Sequence, residues 1–596
     1  MTTKITKGVK PARKATKKTS LVFFVCFVPS LGFRELRGEA SVIITGMRKY
    51  LVAAACVAAA VHVAAQQQAP QNGSIRQEDL RADLFFLAGD SLRGRLTDTE
   101  ENRAAADFIR SRFERMGLKG AGPNGSFFQP YNLMIATLPA SSVAANVMEI
   151  QYGAGQTRQL RAGQEFYPHR YSGSGTATGG VVFAGFGISA PHLGYDDYSG
   201  DVKGKVVLAL DHEPGERDPN SPFDGVVTSE PSTTWRKALA AQEKGAAAVL
   251  FVSDVHNHPG TANFEATAHN YWPEKPPHLR SYTLASWADR IHIPVAQISP
   301  AVAASLLAGS NRTLEELGRA AETRGTPPLA LPGSQVALRT AVDRHIVPDR
   351  NVVALLEGSD SRLKNEWVIV SAHYDHNGAD ATQIFAGADD NGSGVVALIE
   401  IAEAYALAAR EGQRPKRSIL FASWNSEERG LLGAWAYTEQ PLAPLNTIAA
   451  VLNMDMIGRN EEIPVGGGGR FTGLEVQTAE SNSNALNLMA FSKVPDITAA
   501  VEHANGSIRL ELKKRYDNNS SNLLRRSDQW PFLQRGVPAM GFITGLHPDY
   551  HTQYDRPEKI NYVKMEKITR LVHQVSWDIA NADARPKPPS SRSITQ

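Results

Sequence analysis

The chain has 596 residues, with 63 Lys and Arg against 61 Asp and Glu and 42% hydrophobic residues; the length calls for two packed units and the composition is ordinary for a globular protein. Balanced charge leaves no long-range field for a polyanion, and there is neither a basic stripe nor a repeated aromatic-basic module, so nucleic acid is excluded as a partner. The only two cysteines, Cys26 and Cys56, lie near the start, so no disulfide framework, thiolate metal site or cysteine nucleophile is expected in the body of the chain.

Two apolar stretches open the sequence. The second follows Met47, Arg48 and Lys49 and ends in Val63-Ala64-Ala65 before Gln66, the pattern of a secretory signal peptide with a small-residue cleavage site. On this reading residues 47–65 are the signal peptide, residues 1–46 an upstream extension, and the protein is secreted or periplasmic. Both stretches are short for a hydrocarbon core of ~30 Å, so no stable membrane insertion is expected. A Gln/Pro-rich linker follows over residues 66–79. Residues 80–117 place Ala104, Phe108, Ile109, Phe113 and Met116 near helical spacing, with Gly117 as the stop, and are expected to be helical.

From about residue 141 to 343 the texture changes to short β-like runs such as Gly180-Val181-Val182-Phe183-Ala184, with a helix expected over 235–244 feeding a strand over 246–252. From residue 351 onward apolar strand, loop and helix alternate. Strands are expected at 367–372, 418–424, 449–455 and 539–544, with a long apolar helix at 394–409. Strands this apolar are covered on both faces, so the expected fold is α/β, a mostly parallel central sheet flanked by helices. The site of such a sheet forms beyond the carboxyl ends of its strands.

Residues able to bind a metal stand at those ends. His373-Tyr374-Asp375 closes the first strand, Glu427-Glu428 follows the second, Asp455 ends the third, His551 lies beyond the fourth, and Asp389-Asp390-Asn391 opens the long helix. Taken singly, each has a plain structural reading: a polar strand cap, a turn or N-cap, a solvated pair at a helix start. Their common placement argues for a joint role. Carboxylates with imidazoles and no thiolate suit zinc, manganese or cobalt in a catalytic setting.

Five motifs carry a family resemblance: Ser371-Ala372-His373-Tyr374-Asp375, Gly387-Ala388-Asp389-Asp390-Asn391-Gly392-Ser393-Gly394, Asn425-Ser426-Glu427-Glu428-Arg429-Gly430, Asn453-Met454-Asp455-Met456-Ile457-Gly458 and Tyr550-His551-Thr552. In this order they resemble the two-zinc aminopeptidase family that also contains glutamate carboxypeptidase and the transferrin receptor. The resemblance implies a zinc exopeptidase fold holding two Zn2+ ions per chain and acting on peptide substrates. It further implies that Asp390 bridges the two metals, that His373 and Asp455 complete one site, and that Glu428 and His551 complete the other. Glu427 would be the general base, and Asp375 would hydrogen-bond a ligand histidine. Many relatives carry His where this chain has Gln529 after Ser527-Asp528, which suggests altered specificity.

The segment containing Gly194-Tyr195-Asp196-Asp197-Tyr198 and Lys244-Gly245-Ala246-Ala247-Ala248 resembles the β-rich protease-associated domain inserted in this family. The expected plan is therefore an N-terminal peptidase part at 80–149, the insertion at 150–330, the catalytic part at 331–580 and a tail at 581–596. An aminopeptidase is the leading reading. A carboxypeptidase or dipeptidase would need a basic pocket, for which Arg525 and Arg526 are candidates, and a non-catalytic receptor-like homologue is the third. His256 and His258 read as solvated loop residues.

Overall fold

The computed structural model describes residues 68–139, 145–260, 263–323, 325 and 327–589. The expected signal peptide, the upstream extension and the end of the tail lie outside these residues. Part of the stretch expected as a linker is docked: Ala69 is buried and its N–H donates to Gln574 Oε1 at 2.7 Å, while Arg570 donates to the Ile75 carbonyl at 2.8 Å.

Four parallel strands form the middle of the first sheet: β1 (Trp367–His373), β2 (Ser418–Trp424), β3 (Ile448–Met454) and β4 (Ala539–Ile543). They lie in the order β2-β1-β3-β4. Every residue of β2, β3 and β4 is buried, as double-sided helix cover requires. The flanks run antiparallel: Asp343–Leu356 pairs with β2 and Phe128–Thr137, and Ala485–Met489 pairs with β4. The expected parallel arrangement therefore holds for the central four strands, while the sheet as a whole is mixed. Because β2 and β3 lie on opposite sides of β1, the winding reverses at β1. The connecting loops part there and leave a crevice.

The long apolar helix spans Gly394–Arg410 and is buried along most of its length, packing under β1. Residues 80–117 are not one helix. Two helices, Gln77–Leu87 and Glu100–Met116, flank a break that the apolar spacing did not reveal. Its cause is Arg95, wholly buried in the break. The guanidinium donates to the carbonyls of Tyr374, Leu87, Ala386 and Gly387 at 2.8–2.9 Å, and a continuous helix would not deliver it there.

A second sheet is built from residues between Val147 and Thr340. Its middle also contains parallel neighbours: Gly175–Phe183, Val206–Leu210, Ala248–Val252 and Val295–Ile298. Here the strands follow one another in chain order, with no reversal. This part reaches back to the first: Val226 and Thr228 donate their N–H groups to Asn518 and Asn522 at 2.9 Å, and Arg535 holds Glu230 at 2.7 Å. Trp235 stacks on Trp287 at 4.5 Å, and Trp287 meets Trp435 edge-on.

Candidate metal centre

Each central strand of the first sheet presents a side chain able to bind a metal at or beyond its carboxyl end. β1 ends in His373, Glu427 and Glu428 follow β2, Asp455 follows β3 directly, and His551 lies in the loop after β4. The loops turn sharply to do this. Ser426, Met456 and His551 have φ values of 60°, 56° and 56°, a left-handed conformation costing a non-glycine residue about 1–3 kcal/mol and kept only where the surroundings enforce it. Asp390 comes from the turn into the Gly394–Arg410 helix. Asp555 anchors that turn by accepting the N–H groups of Asp389 and Asp390 at 3.0 and 3.1 Å. Gly387 lies at φ 59°, and a Cβ there would meet the His376 ring at 2.5 Å, so only glycine lets the turn pass beneath that imidazole.

The side chains converge in two groups that share Asp390. In the first, His373 Nε2 stands 3.3 Å from Asp455 Oδ1 and 3.4 Å from Asp390 Oδ1. In the second, His551 Nε2 stands 2.9 Å from Asp390 Oδ2 and 3.1 Å from Glu428 Oε2. All five metal ligands named from the resemblance are thus brought together. His376, absent from that set, joins the second group, its Nδ1 2.6 Å from Glu428 Oε1. The spacing His373-x-x-His376 was the available signal. Glu427 diverges from Glu428 and faces His373 Nε2 at 3.8 Å.

Asp375 acts differently from the expected partner of a histidine. Its carboxylate lies 3.6 Å from His373 Nδ1, beyond a good hydrogen bond, and the atom facing that nitrogen is the Asp375 carbonyl oxygen at 3.2 Å. The carboxylate instead accepts the N–H groups of Glu427 and Glu428 at 3.0 and 3.2 Å, holding the glutamate loop against β1.

Crowded carboxylates in a buried site repel. Burial pushes the Glu427 carboxyl well above its usual range; His373 pulls it down, while Asp455 and Asp528 add to the rise. Burial also raises Asp528, whose oxygens have no hydrogen bond among the described residues. Burial works against a proton on His551, yet Glu428 and Asp390 outweigh it and raise the pKa to about 10. Divalent cations would supply the positive charge this arrangement needs, displacing protons from the same atoms. The donor set fits: both ring nitrogens of His376 and Nε2 of His551 are buried without a directed hydrogen bond among the described residues, and every donor is an imidazole nitrogen or carboxylate oxygen.

An apolar pocket opens beside the first group, lined by Met489, Leu523, Phe542, Ile543 and Leu546. Gln529 reaches this pocket too, donating to the Leu524 carbonyl at 2.8 Å. A wider groove runs in front of Glu427 and Glu428. Its walls include Arg525, Arg526 and Tyr550 from the part carrying the first sheet and Ser229, Glu230 and Trp235 from the part carrying the second.

Residues 351–576, which contain every ligand candidate of this centre, match the family described as Peptidase family M28. This stretch is an M28 peptidase domain. The chain is similar to a probable glutamate carboxypeptidase, VP8, of Zea mays, 29% identical over 221 residues, covering 36% of this chain and 27% of that protein. It is also similar to the aminopeptidase YwaD of Bacillus subtilis, 26% identical over 227 residues, covering 37% of this chain and 42% of that one. The chain thus spans less than half the length of either curated relative. An aminopeptidase structure from Aneurinibacillus sp. strain AM-1 aligns with a TM-score of 0.44 at 17% identity, over 88% of this chain and 97% of that one.

Proposed function

We propose that the protein is an exported zinc-dependent exopeptidase that hydrolyses the N-terminal peptide bond of peptide substrates. The observation that carries this reading is the pair of ligand groups sharing Asp390, with Glu427 beside them facing the cleft. His373, Asp390 and Asp455 would hold one ion, and Asp390, Glu428 and His551 the other, with His376 in reach of the second. When bound, two such ions would polarise the scissile carbonyl and lower the pKa of the attacking water. Glu427 takes the proton from that water and returns it to the departing amine, a role worth roughly 10²–10⁴ in rate. Asp375 keeps Glu427 in place through its backbone N–H. The pocket beside the first group, walled in part by Met489, Leu523, Phe542, Ile543 and Leu546, receives the side chain next to the cleaved bond. The second sheet, read as a protease-associated domain, walls one side of the groove and narrows the entrance. The leader pattern at residues 47–65 supports secretion or a periplasmic location.

Arg525 and Arg526 in the groove favour a second reading, a carboxypeptidase or dipeptidase that grips a free carboxylate. The test is a mass-spectrometric time course with added zinc on unblocked, N-acetylated and C-amidated forms of the same peptides, with Glu427→Gln as control. Loss of N-terminal residues that acetylation stops, absent from the mutant, is expected. Loss from the C-terminus that amidation stops would establish the second reading, and no cleavage of any form would refute both.

A further inference from the structure

The second sheet carries a histidine-carboxylate cluster of its own, beyond the carboxyl ends of two adjacent parallel strands. His212 follows Val206–Leu210, and His258 lies in the loop after Ala248–Val252. Glu216, on the His212 loop, stands between them: its Oε2 is 3.2 Å from His212 Nδ1, and its Oε1 is 2.6 Å from His258 Nε2. The two rings stack with centroids 4.1 Å apart and planes inclined by 24°. Both aim a nitrogen at the same carboxylate. His258 is therefore not the free loop residue its sequence suggests.

The arrangement is held from behind. Glu322 accepts the Gly215 N–H and the Asn257 side-chain amide, both at 2.6 Å, which ties the His212 loop to the His258 loop. Asp254 accepts from His256 N–H at 3.0 Å and from the Asn257 amide at 2.8 Å. Such support keeps donor atoms aimed before a ligand arrives. His258 Nε2 is shielded from water and makes no directed hydrogen bond among the described residues.

We propose that His212, Glu216 and His258 form a third metal site, binding one divalent late-transition cation such as zinc through two imidazoles and one carboxylate. Stacked imidazoles cannot both carry a proton without repulsion, whereas one divalent cation satisfies both nitrogens and the carboxylate together. A tetrahedral zinc with bonds of ~2.0–2.1 Å spaces its donors about 3.3 Å apart, so the 3.2 Å pair already fits and the 2.6 Å pair opens slightly. The imidazoles are about two-fifths exposed, which leaves water the remaining position. The ion would clip the start of the segment that continues to Ser229 and Glu230 in the groove wall. The site stands independently of the peptidase reading.

Zinc content after equilibrium dialysis, measured by elemental mass spectrometry on the full chain, tests this. In an Asp390→Asn background, which disables the M28 centre, the chain is expected to keep one zinc that His212→Ala/His258→Ala removes. Adding the same pair to the otherwise unchanged chain is expected to lower its zinc content by one ion. Glu216→Gln, which keeps size and removes charge, is expected to weaken the same ion at least tenfold. In the Asp390→Asn background zinc is expected to raise Tm by a few degrees, and the double alanine variant to lose that rise. Equal zinc content with and without His212 and His258 would overturn the proposal, whatever the count at the M28 centre.

Discussion

The two sheets share a plan and differ in what stands at their carboxyl ends. Both place parallel strands at the centre and antiparallel strands outside, and both gather histidines and carboxylates beyond the parallel strands. In the first sheet the winding reverses at β1, so the loops part and the ligands sink into a crevice: His373 and His376 are wholly buried. In the second the strands succeed one another in chain order, and His212 and His258 stay about two-fifths exposed. Winding order therefore decides whether similar side chains make an enclosed reaction site or an open clip. Burial makes the first site costly to assemble without cations, because its carboxylates repel in a poorly screened interior.

Substitutions can break this contrast. The largest effect is expected from Asp390→Asn, which removes the oxygen shared by both groups of the first site. Turnover should fall below detection and both of that site's ions should be lost, while any ion on the second sheet persists in elemental analysis. Next is Arg95→Met, which leaves four buried carbonyls without their donor. At about 1 kcal/mol or more for each orphaned group, unfolding in urea should show a loss of about 3 kcal/mol or more. His376→Gln should weaken zinc binding at the first site about 10-fold or more, at least what losing a group that only supports a ligand costs, read by competition with a chelator.

The smallest effect separates burial from site chemistry. Each part of the molecule buries a histidine far from the ligand groups. Burial lowers His573 to about 3 and His169 to about 4, the latter helped back by Gln297 at 3.2 Å. A histidine in the unfolded chain takes up its proton near pH 6.5, so stability is fully present above that value and is lost as pH falls toward 3, because the folded state refuses the proton. The slope is at most about 1.4 kcal/mol per pH unit for each group. His573→Leu should flatten the acid limb of a Tm-against-pH curve and leave the curve near pH 8 little changed. An unaltered acid limb would mean that His573 is hydrated in solution.

Much of this was legible along the chain. Uninterrupted apolar runs located β1 to β4 to within a residue or so, because strands covered on both faces have no polar positions to blur them. Asp390, Glu427 and Glu428 stood out because polar residues at the ends of such runs need a reason. His376 is signalled only by its spacing from His373, and that spacing does not say which ligand group it joins. The break holding Arg95 had a local signal in Gly89-Asp90-Ser91 and Gly94, which the helical spacing on either side outweighed, whereas nothing local records the distant carbonyls of Tyr374, Ala386 and Gly387 awaiting a donor.

By itself the sequence determined which segments become strands, which residues end them, and that imidazoles and carboxylates without thiolates would make up the first site, since periodicity and residue chemistry are local. Only the tertiary structure decided that Asp375 clamps the glutamate loop through its N–H groups, that His376 joins the second ligand group, that Arg525 and Arg526 reach the groove, and that His212, Glu216 and His258 converge. Those relations depend on strand order and loop closure, which bring together residues tens to hundreds of positions apart and leave no periodic trace in the chain.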